Sequence, residues 1–169
     1  CYASPGQRWT FYEIDPAVKR IATDPRLFTY LRDCLEQFTV VLGDARLSLT
    51  HAPAGTYDLI IVDAFTSDAI PIHLMTREAV QLYLNTLHRG GLLAFHISNR
   101  FLGLRPVLAN LAGELGLLCA WRSHSVTSKE RALGISSSNW VVLARPGTDL
   151  GALVRRRHWQ PLPGRGRRR

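Results

Sequence analysis

Carboxylates and a histidine recur in this 169-residue chain where an apolar run gives way to polar residues. The run Leu59 to Val62 stops at Asp63, and Asp68 follows in a loop closed by Pro71. Glu13 and Asp15 end the aromatic and β-branched stretch from Arg8 to Ile14, and Gly43-Asp44-Ala45 follows Phe38 to Leu42. His96, Ser98 and Asn99 end Leu92 to Ile97. Acids at such points accept hydrogen bonds from ribose hydroxyls, an exocyclic adenine amine or a substrate ammonium. Each also has a structural use, Asp15 and Asp44 as helix caps and His96 as a satisfied interior histidine. Four strand ends that agree favour a pocket.

Other chemistries find less support. No Ser-His-Asp order stands out, and the pairs Gly43-Asp44 and Gly90-Gly91 lack phosphate-loop spacing. His51, His73, His88, His96, His124 and His158 are scattered, so no metal site is expected. A carboxylate-lined site suits a nucleoside-like or amine ligand better than a phosphorylated one.

The positioning elements follow from periodicity. Leu59 to Val62 reads as a strand buried on both faces, and Arg8 to Ile14, Phe38 to Leu42, Leu92 to Ile97, Leu117 to Trp121 and Asn139 to Ala144 read as further strands. Asp15 and Pro16 open a helix with an apolar face of Val18, Ile21 and Ala22. Arg26 to Leu35 and Ala45 to Leu49 suit further helical segments. Thr76 caps a helix to Leu87 that Gly90-Gly91 ends, and Leu104 to Leu115 forms another, stopped at Gly116. This alternation predicts a mainly parallel α/β sheet with helices on both faces, whose carboxyl-end residues share one rim.

Length and a 46% hydrophobic composition suit one domain over residues 1–150. Seven arginines after residue 154 supply all but one of the eight net positive charges, so residues 151–169 read as a basic, disordered tail on a near-neutral body. A solvated terminus is the simpler reading of that tail, and nucleic acid is not the expected partner. No apolar run approaches the roughly 20 residues of a membrane span. Three scattered cysteines suit a reduced, cytoplasmic setting.

The motifs Phe11-Tyr12-Glu13-Ile14-Asp15, Gly43-Asp44-Ala45 and Tyr57-Asp58-Leu59-Ile60-Ile61-Val62-Asp63 resemble, in order and spacing, those of spermidine synthases, the polyamine aminopropyltransferases. The longer pattern DAFTSDAIPIHLMTREA, followed by FHISNR, resembles bacterial spermidine synthase-like domains, some fused behind a membrane transporter. The resemblance implies a Rossmann-like, class I methyltransferase-type fold and aminopropyl transfer from decarboxylated S-adenosylmethionine to putrescine, without a metal. Glu13 would then hold the ribose, Asp44 with the Ala45 backbone would read the adenine, Asp63 would be catalytic, and Asp68 would help bind the substrate amine. Two departures stand out. The family pairs its aspartates as D-x-x-D, whereas four residues separate Asp63 from Asp68. The family's first strand and glycine-rich turn have no counterpart from Cys1 onward, so the chain reads as N-terminally truncated, with the strand ending at Glu13 pairing directly with that ending at Asp63. A homodimer, a methyltransferase using S-adenosylmethionine, and a non-catalytic nucleoside- or polyamine-binding domain stay open.

Overall fold

The computed structural model describes residues 3–65, 71–99, 102–157 and 159–163. It divides into two compact units, 1–52 and 53–169.

In the first unit, β1 (Arg8–Glu13) leads into α1 (Pro16–Thr23), α2 (Tyr30–Cys34), β2 (Gln37–Leu42) and α3 (Ala45–Leu49). β1 and β2 pair in parallel from Arg8 opposite Gln37 to Glu13 opposite Leu42. α1 begins as its sequence dictates, with Asp15 accepting from the Ala17 N–H at 2.7 Å and Pro16 at the first helical position, where a missing N–H costs nothing. Its apolar stripe stays open to solvent, Val18 being 47% and Ile21 44% exposed. Between Arg26 and Leu35 only Tyr30–Cys34 is helical. Cys34 takes part in a disulfide, against the expectation of reduced cysteines.

The second unit holds a five-stranded sheet in the order β3-β4-β6-β5-β7, made of β3 (Tyr57–Val62), β4 (Leu87–His96), β5 (Leu118–His124), β6 (Ser138–Ala144) and β7 (Gln160–Pro161). β3 and β4 are parallel, while β6 runs antiparallel to both β4 and β5. α4 (Arg77–Thr86) and α5 (Leu104–Glu114) join the strands, and shorter helices α6 (Ser128–Ala132) and α7 (Gly151–Arg157) follow β5 and β6. Tyr83 of α4 lies against Phe95, and Arg105 of α5 sits over the Trp121 ring at 4.2 Å. Register and alternation put Phe95, Val141 and Trp121 on one face, which both helices therefore cover. Leu93, Phe95, Leu108, Val80 and Val141 are fully buried there, each burial contributing about 1.5–3 kcal/mol.

Several expectations are corrected. β1 and β3 belong to different sheets, so the predicted direct pairing of the Glu13 and Asp63 strands does not form. β3 is an edge strand, and with Leu59 46% and Ile61 43% exposed it is not buried on both faces. α4 ends at Thr86, before the glycine pair, and β4 starts at Leu87. Gly91 serves close approach instead, since a Cβ there would lie 2.9 Å from Leu87 Cδ2, 3.0 Å from the His88 carbonyl and 3.1 Å from that of Asp58. Within residues 151–169 the described part holds α7 and β7, the latter paired with β5, while residue 158 and residues 164–169 of the expected tail lie outside the described residues. Among the described residues, no helix is long and apolar enough to cross a membrane.

Candidate functional site

Each unit gathers polar residues at the carboxyl ends of its parallel strands. In the first, the Gly43 N–H donates to the Glu13 carbonyl at 2.9 Å, fixing the two strand ends side by side. Gly43 has φ +133°, a conformation that costs glycine little and turns the chain so that Asp44 opens α3. Asp44 accepts from the Leu47 N–H at 3.0 Å, and Glu13 Oε1 accepts from the Asp15 N–H at 2.8 Å. Both acids thus brace local backbone. The second oxygen of Glu13 has no protein partner among the described residues and suits a ligand hydroxyl. Ala45 is the first residue of α3, where its backbone N–H has no partner within the helix.

In the second unit, Asp63 lies just beyond β3 and the end of β4 supplies His96 beside it. Asp63 Oδ1 and His96 Nδ1 are 2.6 Å apart. With Asp63 ionised, Nδ1 carries the proton and donates it to the carboxylate. The histidine is held from two further sides, stacked on Trp140 at 4.5 Å and 15° and met edge-on by Phe65 at 5.1 Å and 76°. Its Nε2 is buried and unpartnered among the described residues. The Asp63 side chain is 52% exposed against 21% for His96, so the open face of this pair is the carboxylate. Such an arrangement presents one aimed anion to solvent, with its orientation fixed by a ring that cannot rotate freely.

Glu13 and Asp44 lie at neighbouring strand ends of the first unit, and Asp63 and His96 at neighbouring strand ends of the second. Asp68 lies outside the described residues. Ser98 and Asn99 serve the fold, Ser98 Oγ accepting from the Asn139 N–H at 2.8 Å and the Asn99 amide donating to the carbonyls of Ile97 and Leu102. What sequence reasoning missed is the pairing of His96 with Asp63 and the part played by Trp140. Alternation puts His96 and Trp140 on one face only once β4 and β6 are known to be antiparallel with those residues opposite. Among the described residues, no group of three His, Cys, Asp or Glu could hold a metal ion.

No family model matches the chain. It is 35% identical over 99 residues to the polyamine aminopropyltransferase of Vibrio vulnificus (strain CMCP6), a match that covers 57% of this chain and 31% of that protein. Among solved structures, spermidine synthase from Thermotoga maritima superposes with a TM-score of 0.62 at 14% identity, over 93% of this chain and 53% of that one. Human methyltransferase-like protein 13 in complex with SAH gives a TM-score of 0.50 at 15% identity, over 88% and 77% respectively. The chain thus spans about a third of the curated relative and about half of the Thermotoga structure. The chain is thus similar in sequence, over 99 residues, to a polyamine aminopropyltransferase, and it shares a Rossmann-like, class I methyltransferase-type fold with these solved structures.

Proposed function

We propose that the protein is an aminopropyltransferase of the spermidine synthase type, moving an aminopropyl group from decarboxylated S-adenosylmethionine to an amine such as putrescine. The observation that carries this reading is the Asp63–His96 pair, a half-exposed carboxylate oriented by a clamped imidazole at the end of β3.

The chemistry asks little else of the protein. The amine nitrogen attacks the carbon next to a sulfonium, a new C–N bond forms as the C–S bond breaks, and methylthioadenosine leaves as a neutral thioether. The attacking nitrogen must be unprotonated, and Asp63 both orients it and accepts its proton. His96, a positioning residue, keeps the second carboxylate oxygen aimed outward. Glu13 holds the ribose hydroxyls, while Asp44 and the Ala45 backbone read the adenine. Asp68 is assigned to the substrate amine.

Calorimetric titration with methylthioadenosine tests nucleoside binding, and Glu13→Gln is expected to weaken it about tenfold, one lost charge-assisted hydrogen-bond pair. No heat at millimolar ligand contradicts the reading. Because the fold is shared with a protein solved in complex with SAH, S-adenosylmethionine itself is the competing donor. Product analysis with both donors separates aminopropyl from methyl transfer.

A further inference from the structure

On the face of the second unit's sheet opposite α4 and α5, a cleft of about 330 Å³ is lined by Arg122, His124, Ser138, Trp140 and Trp159. The register explains the grouping. Arg122 lies opposite Trp140 and His124 opposite Ser138, so these four side chains share one face. On the other side of β5, Trp121 pairs with Gln160, which brings Trp159 level with Arg122. In the register Arg122 thereby lies between Trp140 and Trp159, and all three line the cleft.

Arg122 is half-buried, yet no hydrogen bond or ion pair reaches its side chain among the described residues. A guanidinium without a counterion in reach keeps its planar fork of donors available to an arriving anion. The nearby acid does not fill that role. Glu130 sits 3.5 Å from His124, and its carboxylate is committed to the Thr127 backbone N–H and hydroxyl, both at 2.8 Å, in the cap of α6.

The geometry points to an anion-recognition site for a small organic molecule with a carboxylate or phosphate on a flat apolar body. The anion takes the planar fork of Arg122, which matches either group with two parallel hydrogen bonds, and the body lies against Trp140 and Trp159. The inference stands apart from aminopropyl transfer, since it needs neither Asp63 nor a nucleoside. Trp140 nevertheless connects the two places, because its ring stacks on the histidine that holds Asp63.

The test is a fluorescence titration of the intact chain with four probes: 2-naphthoate, phenyl phosphate, the neutral 2-naphthalenemethanol and inorganic phosphate. Saturable quenching by naphthoate, by phenyl phosphate or by both supports the site and tells which anion it takes. Affinity should fall about tenfold or more in Arg122→Gln, recover in part in Arg122→Lys, and stay within about twofold in Asp63→Asn. Trp159→Phe should remove part of the quenching. The proposal is overturned by the absence of saturable binding up to about 10 mM of either aromatic anion, a regime weaker than ordinary specific binding. It is equally overturned by equal binding of the neutral alcohol or of inorganic phosphate, or by an Arg122→Gln protein that folds, by circular dichroism, and binds unchanged.

Discussion

Replacing His96 separates the two jobs its ring performs. His96→Phe keeps an aromatic ring between Trp140 and Phe65 while removing the bond to Asp63. A hydrogen bond to a charged group is worth about 1.5–3 kcal/mol, but half of the Asp63 side chain is in water, which reduces the loss to about 1 kcal/mol. Against it stands the buried, unpartnered Nε2, whose removal returns about 1 kcal/mol of desolvation cost. The Phe variant should therefore unfold within about 1 kcal/mol of the parent. His96→Ala loses the bond and both ring contacts, each worth about 0.5–1.5 kcal/mol, for a total of about 2–4 kcal/mol with the void it leaves. Urea denaturation followed by tryptophan fluorescence measures both. Aminopropyl transfer should fall about tenfold or more in the Phe variant with methylthioadenosine affinity unchanged, because Asp63 loses its aim. Equal destabilisation by Phe and Ala would refute the division between ring packing and hydrogen bonding.

Three further outcomes follow from other parts of the molecule. Gly91→Ala drives a methyl group into two backbone carbonyls and should cost about 1–3 kcal/mol in the same urea experiment. Asp44→Ala removes the acceptor for the Leu47 N–H and should cost about 1 kcal/mol, with weaker methylthioadenosine binding by calorimetry. Burial pushes the Cys119 thiol up to about 12, so it should resist iodoacetamide at pH 8 until urea unfolds the chain. A pKa raised on folding gives stability that is full below the unfolded value, ordinarily about 8.5, and lost as pH rises toward 12. Stability should therefore decline on the alkaline side in the parent and less so in Cys119→Ala.

Local features of the fold were legible because their causes are local. Asp15, Asp44 and Thr76 cap their helices through side-chain bonds two or three residues ahead, and the apolar runs become β1 to β6 with ends shifted by a few residues. What periodicity does not encode is which strands pair. The run Leu59 to Val62 looks doubly buried, yet β3 has one hydrogen-bonded neighbour and exposes Leu59 and Ile61. Gly90-Gly91 has the composition of a helix stop, but the need at Gly91 is set by the Asp58 carbonyl of another strand. The same limit applies to function. Asp63 and His96 were each visible as polar strand ends, whereas their 2.6 Å contact and the Trp140 stack depend on cross-strand register. Arg122 and Trp159 offered no signal, because a basic residue in a short strand and a tryptophan in an Arg-rich segment are ordinary until β7 brings them level.

Asp63→Asn tests the central claim most directly, since it keeps the side-chain shape and removes the charge that receives the amine proton. Turnover of decarboxylated S-adenosylmethionine and putrescine, read as methylthioadenosine and spermidine formed, should fall by about 10²–10⁴-fold. Calorimetric affinity for methylthioadenosine should stay within about twofold of the parent. Undiminished aminopropyl transfer in Asp63→Asn would contradict the role of that carboxylate and, with it, the proposed mechanism.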